Sequence, residues 1–84
     1  MRFAHVENKQ LQDLLEFGWN GDEDDICQAI TYSADCVAED AHNEMLDTRV
    51  VDARADALVN AEYAWNEEGD GFAAAEYLRE LWSV

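Results

Sequence analysis

Leu11, Leu14, Leu15 and Trp19 recur at i, i+3, i+4 and i+8, the spacing that gathers side chains on one face of an α-helix. Asn8 stands where an N-cap belongs, and the segment from Gly18 to Gly21 supplies a stop, so the pattern predicts a first helix over residues 9–19. The preceding residues, Met1 to Val6, fit either a short strand or an extended arm. A second stripe follows Gly21: Ile26, Cys27, Ile30, Ala34, Val37, Ala38, Ala41 and Met45. A third runs through Leu46, Val50, Val51, Ala57, Leu58, Ala61, Ala64 and Trp65. Projected on one unbroken helix, the second and third stripes are centred on nearly opposite sides. Either one helix of more than forty residues packs different partners at its two ends, or the chain breaks between His42 and Thr48, with Asp47 or Thr48 capping a new helix. Helical hairpins are commoner than long uncapped helices, which favours the break. Gly69 to Gly71 make the last turn, Asp70 is a cap, and Phe72, Ala75, Leu78, Leu81 and Trp82 share one side of a final helix. No period-2 alternation is long enough for a convincing strand and proline is absent, so the expected fold is an all-α bundle of three or four helices in a single domain, residues 1–84.

Composition bounds this picture. A chain of 84 residues is near the size at which one core supplies only a few kcal/mol, so a bound partner or self-association would help it. An apolar fraction of 49% with nine aromatics is too rich for a disordered tail, despite a net charge of −15. No run of 18 or more apolar residues exists, and the N-terminal residues lack the apolar segment of a signal peptide. The chain therefore reads as soluble and cytoplasmic. Cys27 and Cys36 lie nine residues apart, which points them to opposite sides of a single helix, so they do not pair within it and a reducing compartment fits them best.

Charge changes the picture most. Asp22 is a natural N-cap, and Glu23, Asp24 and Asp25 fall in the first turn behind it, where unsatisfied N–H groups and the helix dipole favour carboxylates. Beyond the cap the acids continue: positions 10 to 48 hold eleven acidic residues and no lysine or arginine. Helical surfaces ordinarily mix signs at i, i+4, yet here Asp35 faces Glu39 and Asp40 faces Glu44, with Asp47 beyond. Such a field attracts cationic partners and repels nucleic acids and anionic membranes. Carboxylates at these spacings are about 5 to 6 Å apart, comparable in scale to the phosphate charges of a nucleic-acid backbone. The expected binding residues are Asp35, Glu39, Asp40, Glu44 and Asp47, with the Asp22, Glu23, Asp24 and Asp25 cluster steering. The expected partner is a basic nucleic-acid-binding host protein or complex, with no direct nucleic-acid contact, because the chain has only five basic residues.

Catalysis has little support in these residues. There is no phosphate-binding glycine loop, nucleophile elbow or zinc spacing. Cys27 reads as core, and the acids around Cys36 raise its pKa. Glu39-x-x-His42 matches half of a di-iron helix motif, but such a site needs a second copy and further carboxylates, so no metal and no cofactor are expected. Trp19, Trp65 and Trp82 fall on apolar stripes and read as core, whereas Phe17 and Tyr63 fall off theirs and are candidate aromatic anchors. Three other readings compete for the same residues: an acidic helical module that homodimerises through spare apolar surface, a domain whose acidity is an adaptation to high salt, and a symmetric dimer that completes a metal site with a second copy of Glu39 and His42.

A short, strongly acidic chain with "GDEDD" at positions 21–25 and a lysine-free span from Gln10 to Thr48 resembles the small phage-encoded inhibitors of host defence, of the anti-CRISPR and anti-restriction type. That resemblance rests on size and charge over the whole chain. It implies a non-enzymatic inhibitor in the host cytoplasm that imitates nucleic acid and occupies the basic channel of its target.

Overall fold

A computed structural model describes residues 2–84 as four helices in chain order, α1 (Lys9–Phe17), α2 (Glu23–Ala41), α3 (Thr48–Asn66) and α4 (Gly71–Ser83), and among these residues there is no strand. The all-α bundle expected from periodicity is what forms. Each helix opens on an acid or amide cap: Asn8, Asp22, Asp47 and Asp70 accept from the backbone N–H of Leu11, Asp24, Arg49 and Ala73. The break between α2 and α3 lies where the stripes change sides, with Asp47 as the cap.

Three local features depart from the sequence pattern. First, α1 stops at Phe17 rather than residue 19, because Gly18 takes φ 89° and returns its N–H to the Leu14 carbonyl at 2.8 Å. Trp19 thus leaves the helix and lies against Trp65 and Phe72, with ring centroids 5.8 and 5.0 Å away, both edge to face. Second, residues 2–6 are neither strand nor extended arm, Met1 lying outside the described residues. Arg2 to His5 form a turn closed by a 3.0 Å bond from Val6 N to Phe3 O, and Phe3 and Val6 plug the core. Gln12 holds this turn by donating to the carbonyls of Phe3 and Val6, while Glu16 accepts from Phe3 N at 2.6 Å.

Third, the buried face of α2 is rotated from the expected stripe. Ile26, Ala29, Ile30, Ser33 and Val37 are buried, while Cys27, Ala38 and Ala41 face solvent and Met45, 94% exposed, sits in the turn before α3. Ser33 lies within this face, which apolar counting could not register: its hydroxyl accepts the indole N–H of Trp82 at 3.0 Å, so a polar residue is satisfied in the core.

The last helix organises the bundle. It touches all three others, and its contact with α3 is the most extensive. Ala57, Ala61 and Ala64 of α3 and Gly71, Ala74 and Ala75 of α4 are all buried, so the two backbones approach closely, while Leu78 and Leu81 fill the centre. The molecule measures 37 × 29 × 16 Å, a slab about as thin as one and a half helix diameters.

Candidate protein-binding surface

The acids expected to act as one surface divide into two groups. Asp24, Asp35 and Glu39 are exposed on α2. At 100° per residue, separations of eleven and four put them within about 60° of one another, a single outward row. Glu23 is exposed beside the start of that row, and Glu44 is exposed in the turn beyond its far end. None of these five has a cation within ion-pair distance among the described residues.

The other four are committed to the fold. Asp22 caps α2 through its 2.9 Å bond from Asp24 N. Asp25 is half-buried and accepts from the side-chain amides of Gln10 at 3.0 Å and Asn20 at 3.3 Å, which ties the start of α2 to α1. Asp40 turns away from Glu39 toward α3 and takes Arg54 Nη1 at 2.7 Å, both side chains being about four-fifths buried. The same guanidinium donates through Nη2 to the Val84 carbonyl at 3.1 Å, so Arg54 links α2, α3 and the end of α4. Asp47 caps α3 by accepting Arg49 N at 2.9 Å, and its other oxygen lies 3.4 Å from the Arg49 guanidinium. The expectation that Asp40 belongs to an exposed acid face is therefore corrected, whereas Asp22 and Asp47 remain exposed while they cap their helices. Backbone donors engage Asp22 and Asp47, side-chain amides engage Asp25, and Arg54 engages Asp40.

Electrostatically the surface remains one-sided. The four ion pairs engage four of the twenty acidic side chains, which leaves sixteen without a cationic partner among the described residues. The fifth basic residue, Arg2, donates to Ser83 and lies 5.2 Å from the Phe3 ring centroid.

The chemistry of the remaining polar groups is muted. A cleft of about 200 Å³ between the N-terminal turn and α2 contains Cys36, Tyr32, Glu39 and Arg54. Burial pushes the Cys36 thiol up from its ordinary value, a hydrogen bond with Tyr32 pulls it partly back, and Glu39, Asp40 and Asp35 push it up again. A thiol held protonated is a poor nucleophile. Cys27, expected in the core, is exposed, and its Sγ accepts the Trp65 indole N–H at 3.1 Å. His42 is the C-cap of α2 above Glu39, and among the described residues no three His, Cys, Asp or Glu side chains gather as a metal site would need.

Aromatic placement completes the surface. Trp19, Trp65 and Trp82 are half-buried against the core, whereas Phe17 is 81% and Tyr63 59% exposed, as their positions off the stripes predicted. Phe72, expected on the inner side of α4, is 65% exposed because Trp19 occupies the space beneath the helix start. Between α1 and the start of α2 lies a cleft of about 280 Å³ that the sequence reading missed. Its α1 side is Gln10, Asp13, Leu14 and Phe17, a series at i, i+3, i+4 and i+7 that was legible, but mixed polarity hid it from a search for apolar stripes. Among the described residues no helix is long and apolar enough to cross a membrane. Compared with protein-family models, curated proteins and solved structures, the chain matches none of them.

Proposed function

We propose that this protein is a non-enzymatic inhibitor that docks its acidic helical surface in the basic nucleic-acid groove of a host defence protein, of the kind that anti-CRISPR and anti-restriction proteins block, and so excludes DNA or RNA. The observation that carries the reading is the outward row of Asp24, Asp35 and Glu39, flanked by Glu23 and Glu44, on a molecule in which sixteen acids have no cationic partner among the described residues. Crowding like charges without partners costs stability, and the return is long-range attraction for a cationic surface. A rigid helix also fixes the charges at defined intervals: about 16 Å from Asp24 to Asp35 and about 6 Å from Asp35 to Glu39 along the axis. A flexible acidic tail offers no such spacing.

Replacing Asp35, Glu39 and Glu44 together by lysine tests this reading. All three are exposed and make no ion pair among the described residues, so the variant keeps its helix content while its net charge moves from −15 to −9, two units per substitution. A basic partner captured at low salt and released as salt rises is then challenged with its own DNA or RNA ligand. The parent protein and the nucleic acid should exclude one another, and the triple variant should lose this competition. Simultaneous binding of both with unchanged affinities, or an equally effective triple variant, would overturn the proposal.

A further inference from the structure

We infer that the cleft between α1 and the start of α2 is an arginine-receiving pocket, the specific anchor point for the basic partner proposed above, on which reading it rests. Its wall on α1 is built from Gln10, Asp13, Leu14 and Phe17, and Asp25 faces them from α2. Three independent features favour a guanidinium there.

The first is shape and size. At about 280 Å³ the cleft lies just below the usual range for small-molecule and cofactor sites, and it suits a single long side chain. The second is charge placed where no internal cation neutralises it fully. The Asp25 oxygens are held by the amides of Gln10 and Asn20, neutral donors that orient the carboxylate without cancelling its charge. Among the described residues Asp13 meets only the Lys9 ammonium at 2.8 Å, in a pair whose side chains are 77% and 45% exposed and which an incoming cation displaces at little cost. The negative end of the α1 dipole and the positive end of the α2 dipole both border the cleft, so its charge comes from the two carboxylates. The third is Phe17. A phenyl ring left 81% exposed on the rim of an acid-lined cleft favours a guanidinium over an ammonium, since arginine stacks on aromatic rings and gives up its hydration more readily than lysine does. Gly18 leaves the floor open, for no heavy atom lies within 4 Å of where its Cβ would be.

The test compares hexa-arginine with hexa-lysine, two peptides of equal charge, titrated at physiological salt into the isotopically labelled full chain and followed by amide chemical shifts. Hexa-arginine should bind more tightly, with its largest shifts at Phe17, Gly18 and the side-chain amides of Gln10 and Asn20. Phe17→Ala, a change at an exposed site, should weaken hexa-arginine by about two- to fivefold and leave hexa-lysine unchanged, while Phe17→Tyr keeps the preference. If both peptides bind equally and shift only the outward row of α2, or if Phe17→Ala leaves the preference intact, the pocket is refuted while the acidic-surface reading stands. If neither peptide binds even at low salt, both readings fall together.

Discussion

Gly71 opens α4 directly beneath the Trp19 ring: a Cβ added there would lie 2.6 to 2.7 Å from three ring carbons. That ring is held between Trp65 and Phe72, and its N–H is bonded to the Asp22 carbonyl at 2.8 Å, so it has little freedom to retreat. Gly71→Ala should therefore destabilise the fold by about 1–3 kcal/mol, the usual range for forcing extra volume into a packed site, and lower the melting temperature by several degrees. An unchanged melt would mean that the indole moves freely. Asp40 gives a second contrast. Asp40→Lys replaces the carboxylate facing Arg54, whose Nε is buried and has no hydrogen-bond partner among the described residues, and should cost about 1–3 kcal/mol; Glu44→Lys, at an exposed position, should stay within about 0.5 kcal/mol. Denaturant midpoints of the two variants measure the difference. Cys36 supplies a third. Its pKa is raised in the fold, so the protonated thiol is the favoured form, and the stability this contributes is complete below the ordinary value of 9.0 and lost as pH climbs through the folded value. Alkylation of Cys36, followed by mass spectrometry, should stay slow at pH 8 and accelerate only above pH 9.

At the scale of the helix, what the sequence disclosed was punctuation. Asn8, Asp22 and Asp70 cap the helices they were expected to cap, and of the two candidates Asp47 and Thr48 it is Asp47 that caps α3, since a cap is a local bond between one side chain and an amide two or three residues on. Removing one should act locally: Asp47→Ala should cost about 1 kcal/mol and fray the start of α3, seen as faster amide exchange over its first turn. Faces were less legible than ends. The α2 stripe counted Cys27 and Met45 as interior and passed over Ser33, because the burial of a serine depends on an indole 49 positions away. The candidate site failed in the same way. Nothing local distinguishes Glu39, which faces water, from its neighbour Asp40, which faces Arg54 across fourteen residues. The α1 cleft needed the Asp25 carboxylate to arrive from the next helix, and no periodicity within α1 announces that.

For the whole molecule, the thin dimension of the slab has an electrostatic consequence. Mobile ions damp a charge over about 8 Å at physiological ionic strength and about 30 Å at 0.01 M. The two broad faces are separated by 16 Å, so at physiological ionic strength the acids on one face hardly sense those on the other. Below about 0.04 M salt, where the damping distance passes that thickness, the carboxylates of both faces act together and the protein behaves as a single highly charged object. Thermal stability should thus climb steeply between about 0.01 and 0.1 M salt and then level off, and melting curves recorded across that range will show whether it does. A domain built for brine would keep gaining into the molar range. A plateau near physiological salt instead means that the charge is tolerated at its working concentration, with each face free to carry its own potential toward whatever approaches it.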